Sequence, residues 1–212
     1  NIMGVSIKAG AVGTKPPQFN SYVRAIYNSF KKLPDYDKLK KISYEDIYRD
    51  IPGIPSFSTY GTQSMTTVVA KWEKSGKAQG QSYEAKYDAQ LEWLRNELIG
   101  LMNGNQSGTK KWLLEEVAKE QQDVPLTVIQ SAGANLSDVH EVGDEDVIKN
   151  CVTVSKTINA YKSRTSKQNW HIDLICETKT TTLNFSIRTN KGGSGHKLGQ
   201  YCNLAVKFNG IA

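Results

Sequence analysis

The chain has 212 residues, of which 38% are hydrophobic and 9% aromatic, and its formal net charge is +6. This composition supports a substantial buried core and lacks the bias of collagen-like or disordered chains. No apolar run approaches the roughly 18 residues of a membrane helix, and the first residues lack the features of a secretory signal. We expect one globular domain over residues 1–212, with no membrane partner.

The cysteines and histidines give little sign of metal or disulfide chemistry. Cys151, Cys176 and Cys202 are odd in number and far apart, and the three histidines are scattered. A disulfide framework or a thiolate metal site needs regularly spaced pairs. The sequence therefore argues against both and favours a reducing, cytoplasmic environment.

The positive charge is concentrated in the last third of the chain. Residues 151–212 contain nine lysines and arginines against two acids, so the first 150 residues carry a net charge of −1. A basic region of this kind is typical of proteins that bind polyanions, most often nucleic acid. A merely solvated, lysine-rich surface has the same composition and remains an alternative.

Helical spacing of apolar residues predicts the first elements in chain order. One helix is predicted over Phe19–Leu33, stopped by Pro34. A short helix is predicted from Ser43, followed by a loop from Ile51 and a helix over Met65–Trp72. These elements indicate a helix-rich first half, residues 1–122.

The longest helix is predicted over Tyr83–Met102, ended near Gly104, because its apolar residues form one stripe. A further helix is predicted from Lys110, with Thr109 as its cap, after a turn at "NGNQSG". The stripe residues are Tyr87, Leu91, Leu94, Leu98 and Leu101.

The pattern changes to alternating and β-branched residues in the basic region 123–212. "VPLTVIQ" predicts a buried strand, and the acidic "SDVHEVGDED" a loop or helix start. Further strands are predicted at "VIKNCVTVSKTI", "WHIDLICE", "TTLNFSIRT" and "YCNLAVKF". Helices followed by strands predict an α+β fold, with a helical N-terminal half packed on a mostly antiparallel C-terminal sheet.

A predicted hairpin over His171–Gly193 gathers the polar residues with most chemical interest. Alternation places Asp173 on one face of its strand, and Ser186 and Arg188 on the matching face of the next. If the turn is centred between Thr180 and Thr181, Asp173 faces Arg188. This face would carry an acid, a hydroxyl and a cation; a solvated face with an ordinary ion pair is the alternative.

At these residues the chain resembles the PD-(D/E)XK nuclease superfamily, in particular type II restriction endonucleases. "FSIRTNKGGSGHKLGQYCNLAVKF" is similar to the version in which serine, isoleucine and lysine precede a glycine-containing loop and another strand. The resemblance covers about one fifth of the chain. Arg188 stands where the family has lysine, and Ser186 stands where it has a second carboxylate.

The resemblance implies a metal-dependent DNA endonuclease that acts as a homodimer on a symmetric site. Asp173 would then hold Mg²⁺, and a metal-activated water would attack the phosphorus. Glu92 or Glu97 of the long helix is a candidate for an additional carboxylate, with Glu97 the preferred second metal ligand. The catalytic candidates are Asp173, Ser186, Arg188 and Lys191.

Two basic segments are candidates for contacts with nucleic acid. "YKSRTSKQNW" places cations between Tyr161 and Trp170, which is compatible with phosphate contacts and base stacking. "KGGSGHKLG" offers backbone amides and cations, although turns between strands are an ordinary alternative for both segments. The predicted binding residues are Lys162, Arg164, Lys167, Lys191, His196 and Lys197.

Two functions without catalysis are alternatives to the nuclease. The chain could be a nucleic-acid-binding or viral structural and assembly protein, whose N-terminal lead through Pro17 is an arm that docks on a neighbour. It could also be a nuclease-derived domain that binds DNA without cleaving it, because arginine at position 188 stays protonated.

Overall fold

The chain has an α+β fold, with helices mostly in its N-terminal half and an antiparallel sheet towards its C-terminus. The computed structural model describes residues 4–9, 20–48, 83–118, 126–132, 135–141, 144–188 and 205–212. The helices are α1 (Val23–Ser29), α2 (Leu33–Tyr48), α3 (Tyr83–Gly104), α4 (Gln106–Trp112), which continues into a π-helical turn (Leu113–Val117), and α5 (Asp144–Val154). The strands are β1 (Gly4–Ala9), β2 (Asn20–Tyr22), β3 (Leu126–Ala132), β4 (Asn135–Glu141), β5 (Thr157–Lys162), β6 (Asn169–Ile175), β7 (Thr180–Arg188) and β8 (Ala205–Ile211).

The strands form two sheets. The larger sheet has the order β2-β8-β7-β6-β5, and all of its neighbouring pairs are antiparallel. The smaller sheet has the order β1-β3-β4, in which β1 runs parallel to β3. The stretch 4–9, part of the lead considered as an arm for a neighbour, therefore pairs with a strand of its own chain.

One hydrophobic core joins the helices to one face of the larger sheet. Leu91, Leu94 and Leu98 of α3 are fully buried in the same cluster as the β6 and β7 residues that point towards the helices. The predicted helix is thus confirmed, and so are the three central leucines of its stripe, whereas Leu101 is only half-buried. The side chain of Tyr87 lies outside the described part of the structure. Phe185 lies at the centre of the aromatic contacts, with ring centroids 5.4 to 5.5 Å from those of Trp112, Trp170 and Phe208.

Pro34 starts a helix instead of ending one. The predicted helix over residues 19–33 is a short α1, and α2 begins at Leu33 with Pro34 in its first turn. Proline is tolerated there because the first turn of a helix leaves its N–H groups without intrahelical partners. The short helix predicted from Ser43 is the second half of this longer helix.

The strand predicted at "VIKNCVTVSKTI" was also wrong in its first part. Residues up to Val154 form α5, and only the segment from Thr157 is a strand. Ile148 and Val152 are four residues apart and buried, so one helical face packs on the core. The acids Asp144–Asp146 lie at the helix start, where the helix dipole favours negative charge. The acidic segment before them is β4.

The edge strand β5 is covered by the end of α3 and the start of α4. The Asn103 amide donates to the Ala160 carbonyl and accepts from the Ala160 N–H, both at 2.8 Å. Gln106 accepts from the Ile158 N–H at 3.3 Å. These side chains satisfy backbone groups that would otherwise invite pairing with another strand.

The predicted loop from Ile51, the predicted helix at 65–72 and the glycine-rich segment at 191–199 lie outside the described residues. Of the helices within the described ranges, none has the length and apolar character needed to cross a membrane.

Candidate nucleic-acid interface

The register between β6 and β7 separates the residues of the predicted catalytic face. Asp173 pairs with Thr182, and Ser186 pairs with Asn169. Arg188 lies six positions beyond Thr182, which corresponds to about 20 Å of strand. The prediction that Asp173 faces Arg188 was therefore wrong.

The error comes from the position of the turn. Cys176 donates its N–H to the Lys179 carbonyl at 2.9 Å, which places the turn at Glu177–Thr178. The threonines from Thr180 onwards belong to β7, in agreement with the preference of β-branched residues for strands. The turn prediction had placed them at the loop instead.

The assignment of side chains to the two faces agrees with the structure. The residues of β6 and β7 that point to the helices are buried, and those between them lie on the opposite side. We call this second side the polar face of the sheet. Its residues are Thr157, Asn159, Tyr161, His171, Asp173, Ile175, Thr180, Thr182, Asn184, Ser186 and Lys207.

Asp173 is fixed at the centre of the polar face by two hydroxyl groups. Thr182 donates to its Oδ1 atom at 2.7 Å, and the Tyr161 hydroxyl donates to the same atom at 3.2 Å. Burial raises the pKa of the Tyr161 hydroxyl, and the neighbouring Asp173 charge raises it further. The tyrosine consequently stays a neutral donor to the carboxylate.

The surroundings of Asp173 do not fit the Mg²⁺ site that the nuclease resemblance implies. Mg²⁺ in phosphoryl-transfer sites is held by one or two carboxylates together with substrate phosphates. The residues directly opposite Asp173 are Asn159 and Thr182, and its polar-face neighbours along β6 are His171 and Ile175. Among the described residues, Asp173 is thus the single carboxylate at this point of the sheet.

The structure does not bring Glu97 to Asp173. Glu97 is exposed on α3, in a groove that this helix forms with α2, whereas Asp173 lies on the face turned away from the helices. Within the described ranges, no three histidine, cysteine or acidic side chains lie close enough together to share a metal ion.

The other predicted catalytic residues are dispersed. Ser186 is buried and its hydroxyl accepts a hydrogen bond from Asn209 at 3.1 Å. The backbone of Arg188 pairs with that of Ala205 at the end of β7. The side chain of Arg188, and the residues Lys191, His196 and Lys197, lie outside the described part of the structure.

An aromatic pair lies on the polar face beside Asp173. The Tyr161 and His171 ring centroids are 5.2 Å apart, and the Tyr161 residue is 36% exposed. His171 Nδ1 lies 2.7 Å from the Asn184 side-chain oxygen, a hydrogen bond that holds the imidazole ring in place. The exposed tyrosine ring offers a flat surface on which a base can stack.

Trp170, predicted as a second stacking residue, does not lie on this face. Its side chain is fully buried and stacks on Phe185 at an interplanar angle of 18°. Alternation along β6 gives the reason, because Trp170 shares the core side with Ile172, while His171 points to the polar face. His171 was not predicted as the partner of Tyr161, since only the pairing of β5 with β6 places the two residues together.

The predicted cations of the β5–β6 connection are exposed at the end of the sheet that contains Tyr161. Lys162, the last residue of β5, pairs with Trp170 and shares the helical side of the sheet with Ile158 and Ala160. We call residues 162–168 the basic loop, and Lys162, Arg164 and Lys167 are its three cations. Lys167 also lies 3.9 Å from Glu92 of α3, at the distance limit of an exposed ion pair.

A buried arginine holds the basic loop to the helical layer. Arg95 of α3 is 1% exposed, and its guanidinium donates to the Ser166 carbonyl at 2.8 Å. Burial lowers the pKa of this guanidinium, and the Glu92 charge acts in the opposite direction. Sequence reasoning missed Arg95, because nothing in its local pattern distinguishes a buried arginine from an exposed one.

No family model, curated protein or solved structure matches this chain. The interpretation of the polar face therefore depends on its own geometry and charge.

Proposed function

We propose that the chain binds single-stranded nucleic acid on the polar face of the larger sheet, without cleaving it. The observation that carries this proposal is the Tyr161–His171 ring pair, which lies on an antiparallel sheet face next to the basic loop. Aromatic rings that stack bases, beside cations that contact phosphates, are the recurring elements of proteins that bind single strands.

The charge distribution supports the same ligand. The three cations of the basic loop are exposed, and Lys207 lies on the polar face opposite Ser186. A basic region of this kind attracts a polyanion and releases its counterions on binding. A strand that follows the sheet from the basic loop towards β8 would meet positive charge at both ends.

The residues around Asp173 favour binding over cleavage, because they offer no second carboxylate for a metal ion among the described residues. Asp173 has asparagine and threonine as its direct cross-strand neighbours, and Arg188 is displaced along β7 from the position that the nuclease reading needs. We therefore assign no metal-dependent step to this face.

The test is a binding titration by fluorescence anisotropy, with a labelled single strand and the matched duplex over a series of salt concentrations. Replacing Lys162, Arg164 and Lys167 by glutamine should reduce the salt dependence by about 2 log units per log unit of salt, at ~0.7 per phosphate contact. Arg24, Lys38 and Lys41 provide the matched control, because these exposed cations lie on α1 and α2, outside both the polar face and the basic loop. The same replacement there should leave the slope unchanged.

Tyr161 provides a second, charge-independent test. Tyr161→Ala should weaken single-strand binding by about 5- to 150-fold, the equivalent of 1–3 kcal/mol for one stacked base. Tyr161→Phe keeps the ring and should bind nearly as well as the wild type. Equal losses in both variants, or duplex binding as tight as single-strand binding, would contradict the proposal.

Incubation with mixed DNA, with and without Mg²⁺, tests the competing nuclease reading. We expect no cleavage under either condition. Magnesium-dependent cleavage that Asp173→Ala abolishes, while binding persists, would overturn the binding-only proposal in favour of a metal-dependent endonuclease.

A further inference from the structure

Asp173 stands out on the polar face because of its charge. Among the polar-face residues that the structure describes it alone is acidic, although it lies in the most basic third of the chain. A carboxylate repels phosphate, so Asp173 would weaken a purely electrostatic interaction with the nucleic-acid backbone. If Asp173 contributes to binding, it therefore contacts a part of the nucleic acid other than the phosphate, such as a base.

The hydrogen bonds of Asp173 leave one oxygen available for that contact. Tyr161 and Thr182 both donate to Oδ1, and within the described ranges no hydrogen bond reaches Oδ2. The two bonds also fix the orientation of the carboxylate before a ligand arrives, which reduces the entropy lost on binding. Oδ2 is thus a fixed acceptor.

The stacking residue Tyr161 lies next to this acceptor. The hydroxyl at the end of the Tyr161 ring is the group that bonds to Asp173. A base that lies on the exposed part of the ring consequently has its edge beside the carboxylate. Stacking and edge recognition can then act on the same nucleotide.

We propose that Asp173 Oδ2 accepts a hydrogen bond from the amino group of the stacked base, so that the site prefers cytosine to thymine or uracil. Cytosine carries an amino donor at position 4, where thymine and uracil carry a carbonyl acceptor. A carboxylate accepts from the first and repels the second. This inference rests on the proposed function, because it names the base that the single-strand site selects.

Asp173→Asn tests the inference with almost no change of shape. The remaining side-chain oxygen can keep the hydrogen bonds from Tyr161 and Thr182, and the amide nitrogen then takes the place of Oδ2. A donor now faces the base, which matches the carbonyl of thymine instead of the amino group of cytosine. The preference between the two pyrimidines should therefore reverse.

The measurement compares the affinities for labelled oligo(dC) and oligo(dT) of equal length, at a pH where cytosine is uncharged. The wild type should bind oligo(dC) about 5- to 150-fold more tightly, which corresponds to 1–3 kcal/mol of discrimination. In Asp173→Asn the ratio should fall to one or below. Asp173→Thr suits a strand and replaces the carboxylate by a hydroxyl that can both donate and accept, so it should give a ratio near one.

Glu177→Gln is the matched control for the change in charge. Glu177 is an exposed acid on the β6–β7 turn and forms an ion pair with Lys156. Its replacement removes the same charge from the hairpin, so both affinities should change together and the ratio should stay at the wild-type value. A change in the ratio here would assign the effect to charge and overturn the inference.

The two proposals fail in different ways. Equal wild-type affinities for the two oligonucleotides, or an unchanged ratio in Asp173→Asn, would overturn the role of Asp173 while leaving single-strand binding intact. Failure of the wild type to bind either oligonucleotide would remove the proposed function and this inference together.

Discussion

The two faces of the larger sheet are built from the same strands and have opposite character. On the side of the helices, β6 and β7 present buried residues such as Trp170, Leu174 and Phe185 to one continuous core. On the other side they present half-buried residues such as His171, Asp173 and Asn184, joined by side-chain hydrogen bonds. The apolar face holds the fold together, and the polar face is the surface on which we propose that nucleic acid binds.

The largest effect is expected on the apolar face. Phe185→Ala should lower the free energy of unfolding by about 3–5 kcal/mol, because it leaves a cavity among three aromatic rings. Chemical denaturation measures this loss. Polar-face replacements such as Tyr161→Ala should lower the stability far less, and a comparable loss there would break the distinction between the two faces.

The edge of the sheet should show an intermediate effect. Asn103→Ala removes two hydrogen bonds to Ala160 and should cost about 1–3 kcal/mol of stability in a denaturation experiment. Gln106→Ala removes one longer bond and should cost less. Equal costs would mean that the end of α3 and the start of α4 do not cover the edge strand as the hydrogen bonds indicate.

Arg95 should connect the two faces, since it holds the basic loop from the helical side. Arg95→Met leaves the Ser166 carbonyl without its partner but also removes the cost of burying a charge, so the net loss of global stability should stay within about 2 kcal/mol. Hydrogen exchange of the amides in residues 163–168 should become faster, and single-strand affinity should fall. Unchanged exchange in this loop would remove the positioning role.

The smallest effect concerns pH. The pKa of Tyr161 is raised in the folded protein, so the fold holds this proton more tightly than the unfolded chain does. The resulting stability is present below the unfolded pKa of about 10 and is lost as the pH rises through the folded value. Tyr161→Phe should therefore lose less stability than the wild type above about pH 10. An identical alkaline profile for the two proteins would contradict this.

The sequence predicted the elements whose pattern is long and regular. The α3 stripe and the alternation of β6 and β7 each repeat over several turns or residue pairs, so the helix and the two faces followed directly. Short segments were less certain: Pro34 fits both the end and the first turn of a helix, and "VIKNCVTV" combines β-branched residues with helical spacing.

The geometry of the site could not be predicted from local sequence, because it depends on the strand register and on contacts between distant residues. A turn three residues away from its assumed centre moved Arg188 along β7 relative to Asp173. The Tyr161–His171 pair and the Arg95–Ser166 bond join residues from different elements, and the second spans 71 positions of the chain. Such contacts become visible only when the strand pairing and the helix packing are known.

The most direct test of the central claim is a map of backbone and side-chain NMR shifts on addition of a single-stranded oligonucleotide. If nucleic acid binds on the polar face, the largest chemical-shift changes should occur at Tyr161, His171 and Asn184 and in the basic loop. Changes confined to the groove between α2 and α3, or no changes at saturating oligonucleotide, would contradict it.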